Sequence, residues 1–207
     1  IWIIPNPGDS GSSLGCIAAH QKAHLNWEHP FLGHNIDGEY PVDSLIKELK
    51  ENKMVGVASG RAEFGPRALG NRSLLADPRG EQIKDLVNGI KKRQKFRPFA
   101  PAILEEDVHE YFTLPKAVQN TPYMQFTAAC THGKDFPAII HHDHTSRVQT
   151  VRKTDNPGFH ALLTEWKKQT GCPILLNTSL NIKGQPIVND REDGKAFTNK
   201  YRVKVLG

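Results

Sequence analysis

The side chains best suited to chemistry are cations gathered in short runs bounded by glycine and proline. Gly60-Arg61-Ala62-Glu63-Phe64-Gly65-Pro66-Arg67-Ala68-Leu69-Gly70-Asn71-Arg72-Ser73 sets three arginines on one compact loop between two expected strands. Guanidinium forks and the backbone N–H groups of a glycine-punctuated turn can converge on phosphate oxygens. A single arginine there would be read as the surface partner of an acid such as Glu63. Three of them make Arg61, Arg67 and Arg72 an anion-binding nest. The chain holds no GxxxxGK(S/T) phosphate loop, so any phosphate is gripped in another way.

A second basic run, Lys91-Lys92-Arg93-Gln94-Lys95-Phe96-Arg97-Pro98-Phe99, follows an expected helix. The helix dipole accounts for cations at that end. It does not account for Arg97, which stands between two aromatics and next to a proline that fixes φ. In His141-His142-Asp143-His144-Thr145-Ser146-Arg147 a metal site is conceivable, because imidazole and carboxylate are good ligands. Neighbouring residues of a strand point to opposite faces, so at most two of these groups could share a site. The favoured reading makes Thr145, Ser146 and Arg147 donors to an anion. Finally, Asn177-Thr178-Ser179-Leu180-Asn181 leaves a buried run, Ile174 to Leu176, and places amides and a hydroxyl beyond its carboxyl end. That is where ligands of open sheets bind.

These runs need a frame to bring them together. Val42, Leu45, Ile46 and Leu49 keep helical spacing ahead of a buried strand at residues 54–58. Strands are expected at 73–76, 99–104, 123–129 and 148–151. Helices are expected near 81–90, with Ile83, Leu86, Val87 and Ile90 apolar, near 105–111, and from Pro157, with Phe159, Leu162, Leu163 and Trp166 inward and Gly171 as C-cap. Helices and strands interleave without strict alternation, which argues for an α/β (α+β mixed) sheet of mixed strand direction. At the amino end, residues 1–4 look like the end of a strand, and a helix at 14–24 has no visible partner for Leu14, Ile17 and Ala18.

The chain has 207 residues, a formal net charge of +5 and 38% hydrophobic residues, which suits one main domain with an affinity for anions. Cys16, Cys130 and Cys172 form neither a CxxC pair nor an even set, so a reducing cytoplasmic setting is expected rather than a disulfide framework. No run approaches the roughly eighteen apolar residues a membrane span needs.

In order, GRAEFGPRALGNRSLLADPR, KKRQKFRPFAPAIL, HHDHTSRVQTV and CPILLNTSLNIKGQPIV strongly resemble the carboxy-terminal half of the carbamoyltransferase family that includes nodulation and antibiotic-tailoring enzymes. The resemblance spans residues 54–190. It implies a YrdC/Sua5-like domain at 41–207, a twisted open sheet with flanking helices and a basic cavity. Residues 1–40 would be a remnant of an actin-like amino-terminal domain with its linker. The resemblance also implies that ATP and carbamoyl phosphate are joined into carbamoyl adenylate, whose carbamoyl group passes to a hydroxyl-bearing small molecule on the other domain.

Lys91-Lys92-Arg93 and Ser179-Leu180-Asn181 correspond to that fold's KxR and SxN signature. The opening PNPGDSGSSLG resembles the last motif of the actin-like domain and gives Asp9 a part in holding iron or another divalent metal in the intact protein, with histidine partners upstream. Two departures stand out: the family often has glycine where His144 stands, and residues 198–207 are unlike its usual ending.

The chemistry implied needs positioning and charge rather than a nucleophilic side chain. The catalytic group is expected to be Arg61, Arg67, Lys91 and Arg93. Arg72, Arg97, Thr145, Ser146, Arg147, Asn177, Ser179 and Asn181 are expected to hold the nucleotide and carbamoyl ends, with Mg²⁺ bridging the triphosphate. The alternative is a non-catalytic basic YrdC-like module that binds nucleotide or double-stranded RNA. Nucleic acid would call for cations spread over a long surface, whereas here they are grouped.

Overall fold

A computed structural model describes residues 3–207. The strand expected at 1–4 lies partly outside the described residues, and Ile3 and Ile4 are irregular. Helix α1 (Asp9–Gln21) buries none of its residues and stops at Lys22, whose φ of 49° is left-handed. Strand β1 (Asn35–Ile36) precedes α2 (Val42–Asn52), which buries the Leu45, Ile46 and Leu49 stripe. Strands β2 (Met54–Ala58), β3 (Gly60–Arg61) and β4 (Arg72–Ala76) lead to α3 (Glu81–Ile90). On α3, Ile83 and Val87 are buried, but Leu86 is 51% exposed and not part of the expected apolar face.

Strand β5 (Ala100–Leu104) runs into a 3₁₀ turn (Glu105–Asp107) and the single-turn α4 (Val108–Tyr111). Strands β6 (Phe112–Thr113), β7 (Thr127–Cys130), β8 (Thr145–Arg147) and β9 (Gln149–Val151) follow. Helix α5 (Pro157–Thr170) starts under an Asn156 side chain that accepts the Phe159 N–H, and ends at Gly171 with φ 71°. Strand β10 (Ile174–Ser179), helix α6 (Arg191–Tyr201) and strand β11 (Val205–Leu206) complete the order. Sequence periodicity missed α6, because it buries only Gly194 and Phe197; its visible signal was the N-cap Asp190, which accepts the N–H groups of Glu192 and Asp193.

The main sheet has the order β11-β2-β4-β10-β5-β9. Its three inner pairings are antiparallel, and the outer ones, β11 with β2 and β5 with β9, are parallel. Side chains alternate across it. Val55, Val57, Leu75, Ala102 and Leu175 face α2 and α5, where Phe159, Leu163 and Trp166 close the layer. Leu74, Ala76, Ile103, Ile174 and Leu176 face α3, α6 and the small antiparallel sheet β6-β7-β8. Each of the valine, leucine, isoleucine and phenylalanine side chains contributes roughly 1.5–3 kcal/mol on full burial. This is the mixed, twisted-sheet fold class expected from the sequence. Packing also crosses residue 40, since Ile36 lies in the same core and Phe31 packs with Leu69, Ala100 and Met124. Among the described residues no helix is long and apolar enough to cross a membrane, and all three cysteines are free.

Two arginines of the first basic loop serve the frame instead of a ligand. Arg72 is fully buried, and its guanidinium donates to the carbonyls of His34, Ser59, Gly60, Asn71 and Asn189 at 2.9–3.2 Å. Arg61 is exposed and reaches back to the Leu32 and Gly33 carbonyls. The expectation that both touch phosphate is therefore corrected: the terminal nitrogens of Arg72 and two of the Arg61 donor groups go to backbone carbonyls, and neither residue lines the hollow that holds Arg67. Replacing Arg72 by Met should cost about 4 kcal/mol or more, because several buried carbonyls lose their donor. Arg61→Met should cost under about 1 kcal/mol. Denaturant melts of the two variants check the contrast.

Candidate functional site

The register of the sheet brings three strand ends to one place. Asn177 of β10 lies opposite Ala100 at the start of β5, and Ser179 opposite Ser73 near the start of β4. Off this edge opens a hollow of about 580 Å³, lined by Arg67, Arg93, Arg97 and Arg147, by Asn177, Thr178 and Ser179, and by His141 and His142. Its apolar wall is made of Pro66, Ala68, Phe96, Pro98, Phe99 and Met124. Phe96 stands 75% exposed at this wall. A second cleft, lined by Lys91, Lys92, Gln94 and Lys183, shares Arg93 and Arg97 with the hollow.

No carboxylate among the described residues lines the hollow. Among the described residues, no ion pair involves Arg67, Lys91, Arg93, Arg97 or Arg147. Their electrostatics record the crowding. Burial and then the charges of Arg97 and Arg147 bring Arg93 down to about 10. Burial and then Arg67 lower Arg147, whose buried Nε has no partner. Burial and then Arg93 bring Lys91 down to about 8, even though its ammonium donates to the Ser179 carbonyl at 2.7 Å, to Ser179 Oγ and to Asn181 Oδ1.

Local devices position Arg93 and Arg147. Arg93 lies over the Phe99 ring, 4.1 Å from its centroid, and donates from Nε to Asn88 Oδ1 at 2.6 Å. Asn88, fully buried on α3, in turn donates to the carbonyls of Lys95 and Arg97, which shapes the turn carrying Phe96. Arg147 owes its aim to strand alternation on β8. That same alternation turns Ser146 inward, where its Oγ donates to the Ile139 carbonyl at 2.6 Å. Ser146 is therefore not a ligand donor. Thr145 is not one either, because its hydroxyl is engaged by Asp143 and His141 and it does not line the hollow. The turn brings His141 and His142 there instead. His144, at the family's frequent glycine position, has φ 61°, the left-handed region that glycine adopts freely.

Asn181 stays outside the hollow and acts through Lys91 and Ser179. Asn177 donates to the Ala68 carbonyl and to Gln149 Oε1, and Gln149 donates to the Leu69 carbonyl. Gln149 and Asn88 were missed in the sequence. A buried polar side chain must find partners, so a glutamine in the expected 148–151 strand was a legible signal. Among the described residues no three His, Cys, Asp or Glu side chains gather as a metal site, and Asp9 is exposed at the start of α1.

The fold and the hollow define an open-sheet α/β domain with a basic hollow at one edge of the sheet. The chain belongs to the carbamoyltransferase family: residues 46–207 match the family described as carbamoyltransferase C-terminus. It is 48% identical over 143 residues to nodulation protein NolO of Bradyrhizobium diazoefficiens, covering 68% of this chain and 26% of that one. It is 46% identical over 188 residues to nodulation protein NolNO of Sinorhizobium fredii, covering 88% and 27%. Against 3'-hydroxymethylcephem-O-carbamoyltransferase of Amycolatopsis lactamdurans the identity is 34% over 213 residues, covering 93% and 40%. The chain thus spans between a quarter and two fifths of these relatives' length. Its fold resembles part of full-length HypF, solved in a phosphate- and nucleotide-bound form, with a TM-score of 0.57 and 20% identity over 82% of this chain and 21% of that one.

The depressed Lys91 pKa gives a testable pH dependence. Below about 8 the ammonium is charged and supports anion binding; as pH rises through that value the charge is lost in the free protein, while a bound anion holds the proton on. Sulfate does not titrate between pH 7 and 9, and its affinity should fall above pH 8 by up to about tenfold per pH unit. Calorimetry on Lys91→Met should show that fall lost between about pH 8 and 9.

Proposed function

We propose that this chain is the part of an O-carbamoyltransferase that binds ATP and carbamoyl phosphate and joins them into carbamoyl adenylate. The single observation that carries this reading is the convergence of four arginines on one hollow with no carboxylate to neutralise them. Membership of the carbamoyltransferase family supports the group transferred.

In the proposed reaction carbamoyl phosphate loses phosphate to water and leaves carbamate. A carbamate oxygen then attacks the α-phosphorus of ATP, and the bond to pyrophosphate breaks. Both partners are anions, so the work of the protein is to hold them together against repulsion and to offset charge on the equatorial oxygens. Arg67 and Arg147 form one wall for the phosphoryl oxygens, and Arg93 and Arg97 the other, facing both the hollow and the neighbouring cleft. Lys91 fixes the Ser179 to Asn181 turn and adds its charge. The apolar wall of Phe96, Phe99 and Met124 offers a surface for a base. The described lining supplies no carboxylate for magnesium, so Mg²⁺ would arrive on the triphosphate. The hydroxyl acceptor, and the metal to which Asp9 would contribute, belong in this proposal to an actin-like domain of the intact protein.

The test is to incubate the chain with Mg-ATP and carbamoyl phosphate and follow pyrophosphate release and carbamoyl adenylate by mass spectrometry. Arg67→Ala, Arg147→Ala and Lys91→Ala should each cut adenylate formation by about 100-fold or more, with the melting temperature little changed. Unchanged nucleotide and carbamoyl phosphate affinity in all three would sink the assignment.

A further inference from the structure

We propose that Glu63 is a positioning residue for the anion site, whose carboxylate locks the turn between β3 and β4 in the shape that delivers Arg67 to the hollow. This rests on the reading of the hollow as an anion site. Glu63 is buried on a loop with three arginines, yet it forms no ion pair with any of them. One of its oxygens, Oε1, accepts three backbone N–H groups from the far side of the same turn: Leu69 at 2.7 Å, Asn71 at 2.9 Å and Arg72 at 3.2 Å. Charge-assisted bonds of this kind are about twice as strong as neutral ones.

The carbonyls of that turn are held from outside, each by a different part of the fold. Asn177 of β10 donates to Ala68 at 3.0 Å, Gln149 of β9 to Leu69 at 3.0 Å, and the Tyr40 hydroxyl to Gly70 at 2.8 Å. Gly70 itself has φ 121°, and a Cβ there would lie 2.4 Å from the Phe159 ring, so the turn has no room to rearrange around a side chain. Three successive carbonyls and three N–H groups are thus fixed within five residues, directly after Arg67.

Arg67 needs such a hold. It lines the hollow together with Arg147, whose pKa is lowered first by burial and then by the Arg67 charge, so the two repel. On a free loop, Arg67 would swing toward water and take the charge out of the hollow. Burial pushes the Glu63 carboxyl up against the pull of its N–H donors, a local cost that a purely structural turn could avoid with a neutral acceptor.

A double-mutant cycle on the 207-residue chain tests this, with inorganic phosphate as the probe, calorimetry as the readout and circular dichroism to verify folding. Glu63→Ala and Arg67→Ala should each weaken phosphate binding by about tenfold. The double variant should bind within about twofold of Arg67→Ala alone, because a residue that acts through Arg67 has nothing left to position. Losses that multiply in the double variant, or unchanged affinity in Glu63→Ala, would overturn the positioning role while leaving the anion site standing. Unchanged affinity in Arg67→Ala would overturn the anion site and this proposal with it. If Glu63→Ala does not fold, Glu63→Gln, which removes the charge but keeps an oxygen acceptor, goes through the same cycle, with a loss of a few-fold expected and unchanged affinity overturning the positioning role.

Discussion

Guanidinium groups held near one another without counter-charges repel. At a separation of about 6 Å and an effective dielectric constant of about 20, each pair costs about 3 kcal/mol. This fold gathers Arg67, Arg93, Arg97 and Arg147 around one hollow with Lys91 beside it, and places no carboxylate in the lining. Partial burial first, and then that repulsion, depress the pKa values of Arg93, Arg147 and Lys91. Nothing in the hollow relieves it, so an entering anion gains from every cation at once. Much of the remaining architecture can be understood as what keeps these side chains from moving apart.

The sheet does most of this. Antiparallel pairing of β4, β10 and β5 puts the end of one strand beside the beginnings of two others, and Arg147 of β8, in the separate three-stranded sheet, completes the hollow that opens there. Polar side chains then tie the segments to one another. Asn88 shapes the turn with Arg93 and Arg97, Lys91 clasps Ser179 and Asn181, and Asn177 with Gln149 holds the loop of Arg67. Arg72 performs the same service at the level of the backbone, gathering the carbonyls of five residues, two of which, His34 and Asn71, also accept backbone N–H groups. A buried guanidinium with so many carbonyl partners fixes geometry that two-residue strands such as β1 and β3 could not fix alone.

How much of this was legible in the sequence depends on the kind of signal. The strong periods were reliable: α2, α5, β2 and β10 lie where apolar spacing put them, and the grouping of arginines in glycine- and proline-bounded segments pointed to an edge where they could meet. Arg67, Arg93, Arg97, Arg147, Asn177 and Ser179 do line one hollow. Residue type could not separate Arg67 from Arg61 and Arg72 on the same loop. That distinction depends on which backbone carbonyls the fold leaves unpaired, a tertiary property. Thr145 and Ser146 were misplaced for a related reason: the alternation of β8 decides which side chains face the hollow, and its phase is set by pairing with β7. Helix α6 is mostly polar and was invisible to periodicity, and Leu86 shows that an apolar residue at helical spacing can still face water.

The central claim is that these cations converge to hold an anion, and the most direct measurement is a crystal structure of the chain grown with phosphate. The account predicts a phosphate in the hollow within hydrogen-bonding distance of Arg67 and Arg147, with Arg93 or Arg97 closing from the other side. Guanidinium groups turned out to solvent around an empty hollow, with phosphate bound elsewhere, such as beside Arg191 and Lys195 on α6, would contradict it.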